Sequence, residues 1–553
     1  MAIELPTRKI GSDSSVRRTV APSGFDFIHP HSSLLTETPP WPRAAIRALE
    51  ILPGAVALFL ISYLVWGYVL FPGVVAATLL VFDGYWLWKS WTIGYHVIKG
   101  ARIMRRFQAM DWRREYEHTM MRGLPFNNTV AWDDVRHVVI IPNYKESEAK
   151  LRQTLGAMAA CHGALENIIP VLAMEEAEPG TALKAQALVA EFGDKFLDLL
   201  VTYHPYGLPG EVRGKSSNEA WAAKEVVAEL CERRGLDINN LTVTSCDADT
   251  IFPPQYFECL TYHFATDARR YRRFWQAPIF FYNNIWQVPA PLRVPNALAG
   301  LVHLCRLSRR RKVLFSQSTY TLSMRMAHDV GYWDTDIIPE DWHMFLKCFY
   351  NLGGNVEVVP IHLPVGNDGA LSHTVKGTFI NHYLQVRRWG WGASDIPFAA
   401  KEAMQRGDIS LHRRLARLWY LIDNHLSWST QWFFITLGGF VPWLYYQITG
   451  TMILPEWLEM RYVTGIEGIP DWVTIGSVIL APCFVPYIIM IVLDARMRPA
   501  PPTPRSLLNK VLSFACWLAI SPITFFCSAL PALDAQVRLM LGRRMEYRVT
   551  EKV

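Results

Sequence analysis

None of the nine cysteines in this sequence stands in a CxxC pair, which argues against a zinc ribbon or a disulfide framework. The six cysteines in the middle of the chain suit a reducing cytosol. Strong net charge is also missing. The total is +6, and the basic residues cluster beside apolar runs, which points to membrane orientation and away from nucleic acid. Internal repeats are absent, and the one biased tract is the proline-rich stretch 498–504. Residues 1–45 lack a long apolar run. A flexible cytosolic tail is expected there, not a signal peptide.

What is present is apolar and segregated. Hydrophobic residues make up 51% of the 553 positions, and mean hydropathy is +0.10. Residues 51–82 carry no charged side chain and are interrupted by Pro72-Gly73. The two halves are each about 20 residues, the length that crosses a hydrocarbon core, so spans are expected at 51–70 and 74–93. Asp83 falls within the second and is read as a helix-packing partner, because a carboxylate facing lipid is costly. Arginines at 102, 105, 106, 113 and 114 follow, and by the positive-inside rule they put the next segment and the N-terminus in the cytosol.

Residues 137–375 alternate between strand and helix patterns. Strands are expected at 138–142, 167–173, 197–202 and 241–245, and helices at 151–161, 183–192 and 218–233. This β-α-β-α order implies a doubly wound, mostly parallel sheet. Ligands in such sheets bind beyond the carboxyl ends of the strands. Residues 378–405 mix Trp, Phe, Arg and Lys like a helix at a membrane interface. Further spans are expected at 426–455 and 472–493. The segment 511–533 is split by Pro522 into halves too short to cross, so a re-entrant hairpin is expected, with a fifth span as the alternative. The resulting map is a tail (1–45), two spans (46–98), a cytosolic catalytic domain (99–375), interfacial helices (376–425), two spans (426–493), a linker with the hairpin (494–533) and a basic cytosolic tail (534–553).

Four motifs fall where chemistry is expected. The first strand opens into Pro142-Asn143-Tyr144-Lys145-Glu146, a polar loop able to hold a base or ribose. Asp247-Ala248-Asp249 follows the fourth strand, and two carboxylates so placed can hold a divalent cation against a diphosphate. A bare DxD is more often a solvated turn, and the position at a strand end raises its weight. Glu340-Asp341 precedes a helix and can serve as its cap or supply a general base at Asp341. Gln385-Val386-Arg387-Arg388-Trp389 can anchor at the interface. Alternatively, Arg388 supports a diphosphate and Trp389 stacks on a sugar.

In order and spacing, these motifs and the flanking spans resemble the membrane-bound family-2 glycosyltransferases, which include cellulose, chitin and hyaluronan synthases and ceramide glucosyltransferase. The resemblance runs over residues 50–553. It implies a GT-A-like nucleotide-sugar-binding domain inserted between transmembrane helices, inverting transfer from a UDP-sugar, and Mg²⁺ or Mn²⁺ as cofactor. It implies Asp247 and Asp249 as metal ligands and Asp341 as catalytic base, with Pro339 where the family has Thr. It further implies donor contacts from Asn143, Glu146, Lys215, Asp247, Gln385, Arg388 and Trp389, and acceptor contacts from Glu340 and Trp389. Where the family has an Asp pair that reads uracil, this chain has Glu175-Glu176. Tyr547–Lys552 is similar to the FxVTxK gating loop of cellulose synthases. The expected acceptor is a growing polysaccharide, with a single lipid acceptor as the alternative. A non-catalytic receptor or transporter is the alternative of another class. The expected location is a bacterial inner or plasma membrane, multi-pass, with the catalytic domain in the cytosol.

Overall fold

The computed structural model describes residues 42–122, 129–309, 313–450, 471–543 and 545. The expected gating segment at 547–552, the loop at 456–470 and most of the N-terminal tail lie outside them.

Strands β1 (Arg136–Asn143), β2 (Ile168–Glu175), β3 (Leu200–His204) and β4 (Leu241–Ser245) begin the sheet. β5 (Arg273–Gln276), β7 (Tyr320–Ser323) and β8 (Glu357–Pro360) complete it, in the order β3-β2-β1-β4-β7-β5-β8. The first four strands are parallel to one another, and β7 is antiparallel to both its neighbours. β6 (Ile279–Phe280) pairs with β9 (Val365–Gly366) in a small second sheet. The order β3-β2-β1-β4 reverses direction at β1, and a crevice forms at such a point. The fold is therefore the doubly wound α/β domain, set among apolar helices.

Alternation along β1 explains why this sheet is buried on both faces. Val138 and Ile140 enter one apolar core, and Val139 and Ile141 the other. Helix α3 (Glu148–Ala159) and helix α4 (Thr181–Phe192) cover the second core, and α5 (Lys215–Val227) covers the first. Several boundaries differ from expectation by one to three residues. β3 begins three residues late, because Leu197 donates its N–H to the carbonyls of Ala164 and Ile168, outside the ladder. α5 begins at Lys215 and passes into a π-helical turn over Ala228–Arg233.

The helices around the domain are longer than the apolar runs that mark them. α1 (Arg43–Leu70) has 28 residues and α2 (Pro72–Gln108) has 37, with only Phe71 between them. Pro72 stands at the start of α2, where its missing N–H has no helical partner to lose. Asp83 of α2 packs over Gly476, whose absent side chain leaves room for the carboxylate. Helix α6 (Ala290–Leu307) rests on α2, and α7 (Glu340–Asn351) lies on the catalytic side. α8 (Val375–Gly390) leads through a 3₁₀ turn to Ile396–Gln405 and then to α9 (Leu411–Thr449). Three described helices are long and apolar enough to cross a membrane: Arg43–Leu70, Trp472–Met497 and Ile520–Met540.

The segment 511–533 breaks at Ala519 and not at Pro522. Leu507–Leu518 is one helix, and Ile520–Met540 is a continuous helical run of 21 residues. Pro522 sits in the first turn of the second helix, where N–H groups are unpaired in any case. That second helix runs antiparallel to α1. Phe525 and Ala529 pack near Ile61 and Ala57. Farther along, Arg47 donates to the carbonyls of Leu539 and Met540 and so caps its C-terminus. Gly54 is the close contact, because a Cβ there would lie 2.6 Å from the Gln536 carbonyl oxygen and 2.9 Å from Met540 Cβ. Gly54→Leu is expected to cost about 1–3 kcal/mol by overpacking. The check is the thermal midpoint of the full chain in detergent, which should fall, whereas Gly84→Leu at an open position should leave it unchanged.

Candidate active site

The carboxyl ends of β1 and β4 face one cavity of ≈ 2070 Å³. Every residue given a site role from the sequence lines it except Glu176. Glu176 is exposed, because consecutive residues at a strand end point to opposite sides.

The polar centre is built around Lys215, at the first turn of α5. Its ammonium lies 2.9 Å from Asp247 Oδ1, 2.9 Å from Glu340 Oε1 and 2.9 Å from the Ser318 carbonyl oxygen. All three donors of the lysine are thereby used. The acids hold its pKa well above the ordinary lysine value against the opposing effect of burial. Glu219, one helical turn on, is fully buried and accepts the Ser245 hydroxyl at 2.5 Å. Burial, with Glu340 nearby, raises its carboxyl far above the carboxylate range.

Ser318 joins the two acidic motifs. Its hydroxyl donates to Asp247 Oδ2, and its N–H donates to Asp341 Oδ2 at 2.9 Å. Its φ of +53° is unusual for a side-chain-bearing residue and is held by these bonds. Asp341 also accepts the N–H of Trp342 at 2.8 Å. Desolvation, and next the charge of Glu340, raise the Asp341 carboxyl above its ordinary range.

Asp249 is not on a solvated turn. It is 2% exposed, and its carboxylate accepts the Asp368 N–H at 2.7 Å. Asp368 is itself paired with Lys150 at 2.6 Å. Asn367 donates to Asp247 Oδ2 at 3.1 Å, so the loop after β9 closes over the DxD segment. Among the described residues no group of three or more His, Cys, Asp or Glu forms a ready metal cage. Magnesium is commonly held by one or two carboxylates with substrate phosphates completing the shell. The Asp247 side chain, 26% exposed, fits that limited role better than Asp249.

At the far end of β1, Asn143 accepts from Lys184 at 2.6 Å and donates to Glu146 at 3.2 Å. Arg213 lies over the Tyr144 ring at 4.2 Å. Glu175 is buried beside His204, which contacts Glu175 at 3.1 Å and Glu211 at 2.9 Å. These two acids outweigh burial and push the imidazole up to about 9. A folded-state pKa above the usual 6.5 gives stability that is fully present below pH 6.5 and lost as pH rises through about 9. The thermal midpoint is therefore expected to decline between pH 6.5 and 9, and to decline less in Glu175→Gln.

α8 brings Gln385, Arg388 and Trp389 to the cavity, with Trp389 5.7 Å from Phe281. Arg387 faces away and pairs with Asp534 at 3.1 Å. His343 bridges Asp334 at 2.8 Å and Asp395 at 2.9 Å, tying α7 to the turn that follows α8. The two acids raise its imidazole to about 10, so it is a cationic clamp. Ser318, Glu219, His343, Asn367 and Asp368 carry no motif in the sequence. The positive φ at Ser318 is a backbone signal that only the fold displays.

Residues 242–493, less than half of the chain, match the family model described as glycosyl transferase family group 2. The match begins in β4 and ends within the helix that closes at Met497, and the chain is a glycosyltransferase enzyme. Among curated proteins nothing matches. Solved structures similar to it include a mannosyltransferase, PcManGT from Pyrobaculum calidifontis, in complex with GDP-Man and Mn²⁺. The two are 13% identical over 82% of this chain and 100% of that one, with a TM-score of 0.40. TarS 1–349 from S. aureus, in complex with UDP-GlcNAc, is 10% identical over 74% of this chain and 93% of that one, with a TM-score of 0.34. Likenesses this distant carry no argument about substrate.

Proposed function

We propose that the chain performs inverting transfer of a sugar from a nucleoside diphosphate donor, UDP by the sequence resemblance, to an acceptor hydroxyl. The observation that carries this reading is the meeting of Asp247, Lys215, Glu340 and Asp341 around Ser318 at one wall of the cavity. In it Asp341 takes the acceptor proton, aided by a raised pKa that strengthens it as a base near neutrality. Asp247 and Asp249 would hold Mg²⁺ or Mn²⁺, which when bound offsets charge on the leaving diphosphate. Lys215 orients Asp247 and Glu340 rather than reaching out, since its donors are occupied. Asn143, Glu146 and Glu175 border the nucleotide end. Gln385 and Arg388 border the diphosphate, and Trp389 the acceptor sugar.

For the acceptor, a growing polysaccharide is the reading by resemblance. A lipid-borne acceptor has an observation of its own, because the cavity continues between apolar helices and Trp88, Trp419 and Phe484 line it while remaining exposed. In the proposed topology the catalytic domain and the N-terminus are cytosolic. The helices at 507–518 and 520–540 return the chain to the side of Arg47.

A screen of UDP- and GDP-sugars for nucleotide release, with and without added Mg²⁺ or Mn²⁺, tests the reading. Release from one donor, dependent on cation and on membrane extract, is expected. No release from any donor would sink it.

A further inference from the structure

We infer that the membrane-side end of the cavity binds the phosphate of a lipid, whose head group carries the hydroxyl presented to Asp341. Three cations line that end: Lys89 on α2, Arg306 on α6 and Arg309 just beyond it. A single carboxylate, Asp423, lines the same region, and it, Arg306 and Arg309 all lie within electrostatic reach of Lys89. Among the described residues none of the three cations is ion-paired. Arg306 donates to Asn424 Oδ1 at 2.7 Å, and the Lys89 ammonium rests 5.3 and 5.4 Å from the ring centres of Tyr85 and Trp86. Arg309 Nε is buried and has no hydrogen-bond partner. Three cations beside one carboxylate leave an excess of positive charge that a bound anion would offset. Two guanidinium groups suit a phosphate, whose oxygens accept forked hydrogen bonds.

The surroundings make that phosphate a lipid's. Trp86, Trp432 and Ile435 line the adjoining wall. At the rim, Trp88, Trp419 and Phe484 both line the cavity and are 62%, 68% and 64% exposed. The opening is therefore apolar and lies between helices, where an acyl or prenyl chain can enter sideways. Basic pockets between transmembrane helices commonly bind phosphate-bearing head groups. The cavity of ≈ 2070 Å³ also exceeds the roughly 300–1,000 Å³ typical of one small ligand, which leaves room for a second beside the donor.

The inference deepens the proposed function and rests on it for the transfer step only. In that step the head-group hydroxyl oxygen bonds to the anomeric carbon of the donor and its proton passes to Asp341. The anomeric carbon–phosphate oxygen bond breaks, and its electron pair leaves with the nucleoside diphosphate.

The test is binding of a fluorescent phosphatidic acid to the full chain in maltoside micelles, against the matching diacylglycerol and with inorganic phosphate as competitor. The phosphatidic acid is expected to bind at least about tenfold more tightly than the diacylglycerol, about 1.4 kcal/mol. Millimolar inorganic phosphate should not displace it. Arg306→Gln with Arg309→Gln should erase the preference and leave UDP binding intact, which also reports that the variant folds. Equal affinity for the two lipids overturns the inference, as does a preference that survives both substitutions. Displacement by inorganic phosphate at lipid-like concentration overturns it in favour of a soluble anion. Binding of a soluble oligosaccharide but of neither lipid overturns it in favour of a polysaccharide end. A wild-type chain that binds no UDP yet prefers the lipid phosphate separates failure of the catalytic reading from failure of this one.

Discussion

Asp341→Asn is expected to bind the donor nucleotide as the wild type does and to lose about 10²–10⁴-fold in transfer rate. The amide keeps one acceptor oxygen where the carboxylate offers two, so either the Ser318 or the Trp342 N–H loses its acceptor, and the thermal midpoint measured alongside reports any loosening of the loop. What the amide loses is the ability to take a proton. The pH dependence follows from the same carboxylate. A base works only when deprotonated, and desolvation together with Glu340 raises this pKa. The acid limb of the wild-type rate is therefore expected above the ordinary carboxylate range, with activity rising as pH rises through it. Steady-state rates from pH 4 to 9, with donor affinity measured in parallel, check both points. If donor affinity collapses together with the rate, Asp341 is a ligand or a structural residue and not the base.

The second large effect is expected at the DxD segment. Asp247→Asn removes a negative charge from the group that also anchors Lys215, Ser318 and Asn367. Cation-dependent UDP binding should fall, and transfer should drop about 10²-fold or more, about 2.7 kcal/mol of barrier. Asp249 calls for a different substitution. Asp249→Ala would strip a buried N–H, that of Asp368, of its acceptor, at a cost of about 1–3 kcal/mol in stability. Lost activity in that variant would then be ambiguous. Asp249→Asn keeps an acceptor oxygen and tests the charge alone. Removal of divalent cations by a chelator should reproduce the loss in the wild type, and restored Mg²⁺ or Mn²⁺ should reverse it. Transfer within about threefold of wild type in both Asn variants would end the metal role.

Local pattern made the catalytic domain legible. Alternating faces in 138–141, helical spacing in 183–192 and the strand at 241–245 each depend on residues close in sequence, and the structure places elements there. The apolar runs around 51–70 and 472–493 were visible for the same reason, because a lipid-spanning helix must satisfy its own backbone. The motif residues were legible as chemistry-bearing types, and all eleven that line the cavity with a proposed role were named from the sequence without knowing which would touch: their meeting around Ser318 was hidden.

What the tertiary structure decided is every relation between distant segments. Burial turned Asp249 from a surface turn into a buried acceptor, because the loop after β9, more than a hundred residues away, folds over it. The three donors of Lys215 are consumed by partners at 247, 318 and 340, and no local pattern encodes that competition. His343 acquires its charge only between Asp334 and Asp395. Lys89 and Arg306 form a shared cationic lining because α2 and α6 pack together. Secondary structure follows from short-range sterics and hydrophobic period. Electrostatic environment depends on which segments exclude water from which charges, and that is a property of the packed chain.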